Sequence, residues 1–143
     1  MKKLLLYLPL LLLMTNCKTN LSLISAEKQQ IIQGHKNATP YTNYQFKIDL
    51  KNDAIINIDS IKVFDTNNCY IVDYTISNKT SGKYTKQITT KGLYTIDIAM
   101  QKEKYKLLKN CNTTDNKVIV YYQQQTKKEL IITDFQQKTI RKR

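Results

Sequence analysis

Apolar and polar residues alternate with a period of two along most of this chain. Tyr44, Phe46, Ile48 and Leu50 alternate with Gln45, Lys47, Asp49 and Lys51, a spacing that gathers the apolar set on one face of a strand. The same pattern sets Tyr70, Val72, Tyr74 and Ile76 against Ile71, Asp73, Thr75 and Ser77, and Tyr94, Ile96, Ile98 and Met100 against Thr95, Asp97, Ala99 and Gln101. Shorter strands are expected at 55–58, 61–64, 84–88, 118–122 and 130–135, where β-branched and aromatic residues dominate. Residues 100–110 fit a strand end and a short helix equally well. Turn-forming residues at 52–53, 67–68, 81–82, 91–92, 110–116 and 123–126 punctuate these runs at roughly the 8–12-residue spacing of antiparallel sandwiches. No amphipathic segment of helical period and length intervenes. Residues 41–137 therefore read as an all-β, antiparallel sandwich that packs two dry sheet faces together. Residues 17–40 read as a polar tether with at most one edge strand near Ile31 and Ile32, and 138–143 as a basic tail.

The N-terminus carries a different signal. Lys2 and Lys3 precede an unbroken apolar run over residues 4–14, and polarity begins abruptly at Thr15. This is the layout of a secretory signal peptide, expected to span residues 1–16. As a helix the run would extend about 16 Å, roughly half of a ~30 Å hydrocarbon core, so it reads as an export address and not as a lasting span. Cys17 follows, and Met14-Thr15-Asn16-Cys17 resembles the lipobox of bacterial lipoproteins, with Met14 where Leu is usual and Asn16 larger than the preferred small residue. The resemblance implies that the Cys17 thiol receives a diacylglyceryl group, that the peptide bond before it is cut, and that the new amino terminus is acylated. Two or three acyl chains give the stable anchoring that one cannot, because each buried CH₂ contributes about 0.8 kcal/mol. Lys18 stands where lipoproteins retained at the inner membrane of enteric bacteria carry Asp, which implies an outer-membrane anchor with the domain facing the periplasm. The vocabulary of Lys, Asn, Ile, Thr and Tyr behind this signal resembles small envelope lipoproteins of the Bacteroidota, a likeness that implies an address and no activity.

Eight or so short strands in about a hundred residues match the size and rhythm of an immunoglobulin-like sandwich. Gly92-Leu93-Tyr94-Thr95-Ile96 resembles the turn and Tyr that open a late strand of such domains, where the phenol caps backbone at a corner. The chain has no Trp for the third strand, and Ile96 stands where the second core Cys would be. The implied kinship is architectural.

Charge is the strongest compositional bias. Twenty-three Lys and Arg face eleven Asp and Glu, and loss of Lys2 and Lys3 with the signal leaves the exported part at about +10. Lys102, Lys104, Lys106 and Lys109 crowd one stretch, and Lys138, Arg141, Lys142 and Arg143 end the chain. The plain reading is a solvated surface and a frayed tail. The sharper one is retention by an anionic glycan or by lipid headgroups, since a basic domain near a charged surface is steered toward it. Nucleic acid is excluded as a partner by compartment.

Catalytic chemistry is sparse. His35, the only His, lies in a polar stretch far in sequence from any strand that would hold an Asp or Ser against it, which argues against a triad or a Cys-His dyad. The Cys and His spacing suits no zinc site, and the three Gly are isolated, so neither a metal, a cofactor nor a phosphate loop is expected. Asp49, Asp59, Asp73 and Asp97 each sit on the polar side of a strand. The expected function is that of a non-enzymatic, membrane-anchored envelope lipoprotein that binds or scaffolds an anionic component. The alternative is a small envelope hydrolase using surface carboxylates, which two carboxylates converging in a cleft would favour.

With Cys17 assigned to lipid, Cys69 and Cys111 remain, and an oxidising compartment permits one intramolecular pairing between them. The alternative is that Cys69 points inward as a small hydrophobe while Cys111 stays a free turn residue. For Cys17, metabolic labelling with a fatty-acid probe is expected to mark the wild-type chain and to miss Cys17→Ser; equal labelling of both would end the lipoprotein reading.

Overall fold

The structure, a computed structural model, describes residues 20–109, 111 and 114–143. The signal segment and Cys17 lie outside the described residues. Twelve strands follow in chain order: β1 (Leu21–Gln33), β2 (Tyr41–Leu50), β3 (Ile56–Asp65), β4 (Asn68–Val72), β5 (Thr75–Asn78), β6 (Tyr84–Thr85), β7 (Gln87–Ile88), β8 (Gly92–Met100), β9 (Tyr105–Leu108), β10 (Lys117–Gln124), β11 (Thr126–Ile132) and β12 (Gln136–Lys142). One sheet runs β12-β1-β2-β8-β5-β6; the other runs β11-β10-β3-β4-β9, with β7 also paired to β3. The inner orders β1-β2-β8-β5 and β11-β10-β3-β4 reproduce the connectivity of the immunoglobulin sandwich, with the extra strand of its variable type. All pairings are antiparallel except that of β1 with β12.

The core forms where alternation puts it. Phe46, Ile48 and Leu50 on β2 are fully buried and lie in register with Ile96, Tyr94 and Gly92 on β8. Ile61 and Val63 on β3, Val72 on β4, Val118 and Val120 on β10 and Ile132 on β11 supply the second dry face. Each such side chain, fully buried, contributes about 1.5–3 kcal/mol. Tyr94 Oη donates to the Thr90 carbonyl oxygen at 2.7 Å and lies 2.9 Å from Thr90 Oγ1, so the phenol caps the turn that opens β8. β8 takes the fifth place in the immunoglobulin order, one strand before the corner Tyr of that architecture, so the likeness is one of local physics.

Two changes of phase explain where the strand boundaries differ from the sequence reading. Residues 55–64 suggest two strands because Ile56 and Ile58 are even-numbered while Ile61 and Val63 are odd. β3 is nonetheless one strand, whose pairing with β10 skips Asp59 between Tyr121 and Tyr122. A single bulged residue inverts a two-residue period. The same device in β1 skips Ile24 between Leu23 and Ser25, so Leu21 and Ala26 both reach the core and Ile24 stays exposed.

The opposite error occurs at residues 70–76. They keep one phase and read as one strand, yet the chain breaks at 73–74 and passes from β4 in one sheet to β5 in the other. Tyr74 Oη, donating to the Ile58 carbonyl oxygen at 2.9 Å, holds the crossing. A second crossing at 133–135 joins β11 to β12 at the other side of the sandwich. The expected basic tail is therefore mostly a strand, and the expected tether is mostly β1, an inner strand between β12 and β2. Residues 105–108, undecided between strand and helix, form the edge strand β9.

Cys69 and Cys111 form the expected disulfide, with Cα atoms 5.9 Å apart. The bridge does not cross the sandwich; it fastens the connection after β9 onto buried Cys69 of β4 within one sheet. All twelve strands of the described residues, both crossings and this bridge lie within residues 20–143, so that segment carries a core of its own. Closing a loop of about 43 residues removes roughly 4 kcal/mol of unfolded-state entropy on the chain-entropy account. The Cys17→Ser protein, denatured without reductant, is expected to show no free thiol, and reduction should lower its unfolding free energy by about that amount. Two reactive thiols before reduction would refute the bridge in solution.

Candidate functional site

Strand direction gives the sandwich two unlike poles. β1 starts beside the end of β2, with Leu21 opposite Leu50, and runs to Gln33 at the far end. Asn20 therefore shares one pole with the 51–55 loop, the 89–91 turn and the turn at Gln125. The opposite, distal pole holds the 34–40 loop, the Thr66 and Asn67 turn, the connection from β9 to β10 and Arg143. Ten residues of β2 at ~3.3 Å each set the two poles roughly 30 Å apart.

A cleft opens between the sheets toward the distal pole. Gln30, Tyr41, Tyr44 and Met100 line it from one sheet, and Val63, Asp65, Tyr70 and Tyr105 from the other, around about 240 Å³. Tyr70 and Tyr105 meet edge to face with centroids 5.0 Å apart. Tyr44, the most buried of the cleft's tyrosines, packs edge-on against Phe135 at 5.5 Å. Burial first, and then the Asp65 carboxylate and Tyr70, push the Tyr44 phenol up to about 12, so it keeps its proton and remains a hydrogen-bond donor at neutral pH. Tyr70 is shifted the same way by burial, Asp65 and Tyr105. A neighbouring depression shares Pro40, Tyr41, Met100 and Tyr105 and adds Gln33 and Lys102. Ring faces, phenol donors, amides and one carboxylate are a set that can hold a polyhydroxylated ligand by stacking and hydrogen bonding.

The cations expected to bind anionic partners divide. Lys102, Lys104, Lys106 and Lys109 are exposed along or beside β9, the edge of its sheet. Lysines on an edge strand also discourage edge-to-edge pairing, which gives part of this cluster a structural reason. Arg141, Lys142 and Arg143 lie on the opposite edge, at the distal end of β12. They are held there and not frayed: a Cβ on Gly34 would come 2.8 Å from the Lys142 carbonyl oxygen. Lys138 is committed elsewhere, with its Nζ 2.8 Å from Glu27 Oε1.

Glu27 belongs to a polar ladder across the outer face of the first sheet. Gln29 Nε2 donates to Glu27 Oε2 at 2.8 Å, Asn43 Nδ2 donates to Gln29 Oε1 at 3.1 Å, and Gln45 Nε2 donates to Asp97 Oδ1 at 2.8 Å. Asp97 and Asp73 share one depression with Asn43, Tyr74, Thr75 and Lys104. Asp49 pairs with Lys51 at 2.7 Å, and Asp59 lines a depression on the other sheet with Lys62, Lys127, Lys128 and Glu129. His35 stands in the 34–40 loop, and among the described residues no three His, Cys, Asp or Glu side chains gather as metal ligands. The reading of residues missed the tyrosine cleft, because its members come from six strands and each passes locally as an ordinary alternating residue. Comparison with protein-family models, curated proteins and solved structures finds no match.

The Lys138 and Gln29 hydrogen bonds, together with the Lys138 and Lys47 charges, outweigh desolvation and hold the Glu27 carboxyl below its ordinary 4.5. On acidification the unfolded chain takes up this proton first, so the contribution is present above about pH 4.5 and is lost as pH falls through the lowered native value. Glu27→Gln is expected to melt roughly 3–6 °C below wild type at pH 7, with the gap closing as pH falls below about 4.5. A pH-independent gap in thermal melts would show that the carboxylate charge is not what stabilises this ladder.

Proposed function

We propose that this chain is a non-enzymatic, lipid-anchored protein of the cell envelope whose distal pole binds an acidic glycan. The observation that carries the reading is polarity: β1 begins at one pole, while Lys109, Lys142 and Arg143 stand at the other, on either side of the tyrosine cleft. A domain anchored through Cys17 holds those cations roughly 30 Å from its own membrane, several times the ~8 Å screening length at physiological salt. Headgroups of that membrane are out of their reach, which favours a polymer over a lipid as their partner. Cations on the rim supply attraction to acidic groups, and tyrosine faces supply contact area for sugar rings.

The hydrolase reading rests on Asp73 and Asp97 sharing one depression. Asp73 is exposed and Asp97 is half-buried among polar groups, whereas a general acid needs an apolar surrounding to keep its proton. One experiment separates the two. Residues 17–143 carrying Cys17→Ser are expected to bind polygalacturonate at low salt, to ignore neutral dextran, and to lose binding as salt rises. Charge reversal at Lys102, Lys142 and Arg143 should weaken binding by about tenfold or more. Binding that ignores both salt and these reversals would overturn the proposal, and shortening of the polymer that Asp97→Asn abolishes would establish the hydrolase.

A further inference from the structure

Residues 79–91 contain Lys79, Lys83, Lys86 and Lys91 and not one carboxylate. Spacings of four, three and five hide them as a cluster in the sequence. The fold draws them together: β5 descends toward the pole that holds Asn20, the chain turns at 79–83, and β6, β7 and the 89–91 turn carry it along that pole to the start of β8. All four are exposed, and among the described residues none has a carboxylate partner within 4.0 Å. Asp53, the nearest acid of the facing loop, instead accepts the Lys91 backbone N–H at 2.6 Å. The same part of the surface bears the two most exposed large apolar side chains among the described residues, Tyr84 at 78% and Ile55 at 65%.

We propose that this pole is a membrane-contact surface, with the four lysines on anionic phospholipid headgroups and Tyr84 and Ile55 entering the interfacial layer. The occupant follows from where the described chain begins. Asn20 stands at this pole, the apolar run at 4–14 ends six residues before it, and Cys17 lies four residues before β1, about 14 Å at full extension. Lipidation at Cys17 would bring this pole against a bilayer, so the inference rests on the anchor proposed above. Tyr prefers the headgroup boundary, where its ring is dry and its hydroxyl wet. A basic patch held within about one or two screening lengths of an anionic leaflet adds a second attachment to the first. The domain then stands upright, with the tyrosine cleft directed away from its own membrane.

The test uses residues 18–143, which contain the whole fold without signal or anchor, and vesicles of phosphatidylcholine with or without 30% phosphatidylglycerol. Co-sedimentation is expected only with the anionic vesicles. Each of Lys79→Glu, Lys83→Glu, Lys86→Glu and Lys91→Glu should lower partitioning about fivefold or more, in keeping with the field near such a surface. Tyr84→Ser with Ile55→Ser should lower it without changing its salt dependence, and charge reversal at Lys142 and Arg143 should lower it less than reversal of the four lysines. Unchanged thermal melts show that the variants are folded. Failure to bind anionic vesicles, or equal binding after reversal of the four lysines, would overturn the proposal. Fatty-acid labelling of the full chain and glycan binding by the distal pole are separate readouts, so loss of the function proposed above and loss of this docking surface are told apart.

Discussion

The nine-residue antiparallel ladder between β2 and β8 is the constraint on which the rest of the sandwich depends. It sets Phe46 beside Ile96 and Tyr44 beside Ile98, turning two alternating stripes into one continuous dry layer. The opposite sheet has no other surface on which to bury Ile61, Val63, Val118 and Val120. β1 and β5 then add on either side in the only phase that keeps their apolar residues inward, and where the phase fails, as at Ile24, a bulge restores it.

The two sheets are tied together on both sides, where the chain changes from one to the other. β4 continues into β5 on one side, and β11 into β12 on the other. The second change brings β12 beside β1 in parallel, and here the outer face becomes partly buried, with Glu27 and Gln29 each only 7% exposed. A carboxylate and an amide so placed need partners, and Lys138 and Asn43 provide them. A polar sequence can thus form an inner strand: β1 is dry toward the core at Leu21 and Ala26 and hydrogen-bonded on its other face.

The poles give this otherwise symmetric architecture a direction. Asn20, four lysines without a carboxylate partner among the described residues and two exposed apolar side chains share one end, and a tyrosine cleft flanked by further cations opens toward the other. The basic clusters thereby lie on two surfaces roughly 30 Å apart, several screening lengths at physiological salt. The envelope reading gives each a separate object, a bilayer at the near end and an acidic polymer at the far end.

The sequence by itself determined which residues are dry, because alternation is local: Phe46, Ile48, Ile96, Ile98 and Val120 are buried as their spacing requires. It pointed to a Cys69–Cys111 bridge while leaving a buried, unpaired Cys69 open, and it determined that the chain is all-β. Only the tertiary structure decided which sheet receives each strand, because a dry face looks the same from either sheet and the choice is made by hydrogen bonds between distant segments. That is why residues 70–76 divide without a change of phase, why residues 55–64 join in spite of one, and why a polar segment and a basic terminus meet as β1 and β12. The two functional surfaces lay beyond local reading for the same reason. Tyr41, Tyr70 and Tyr105, or Lys79 and Lys91, become neighbours only once long-range pairing has brought their strands to a common pole.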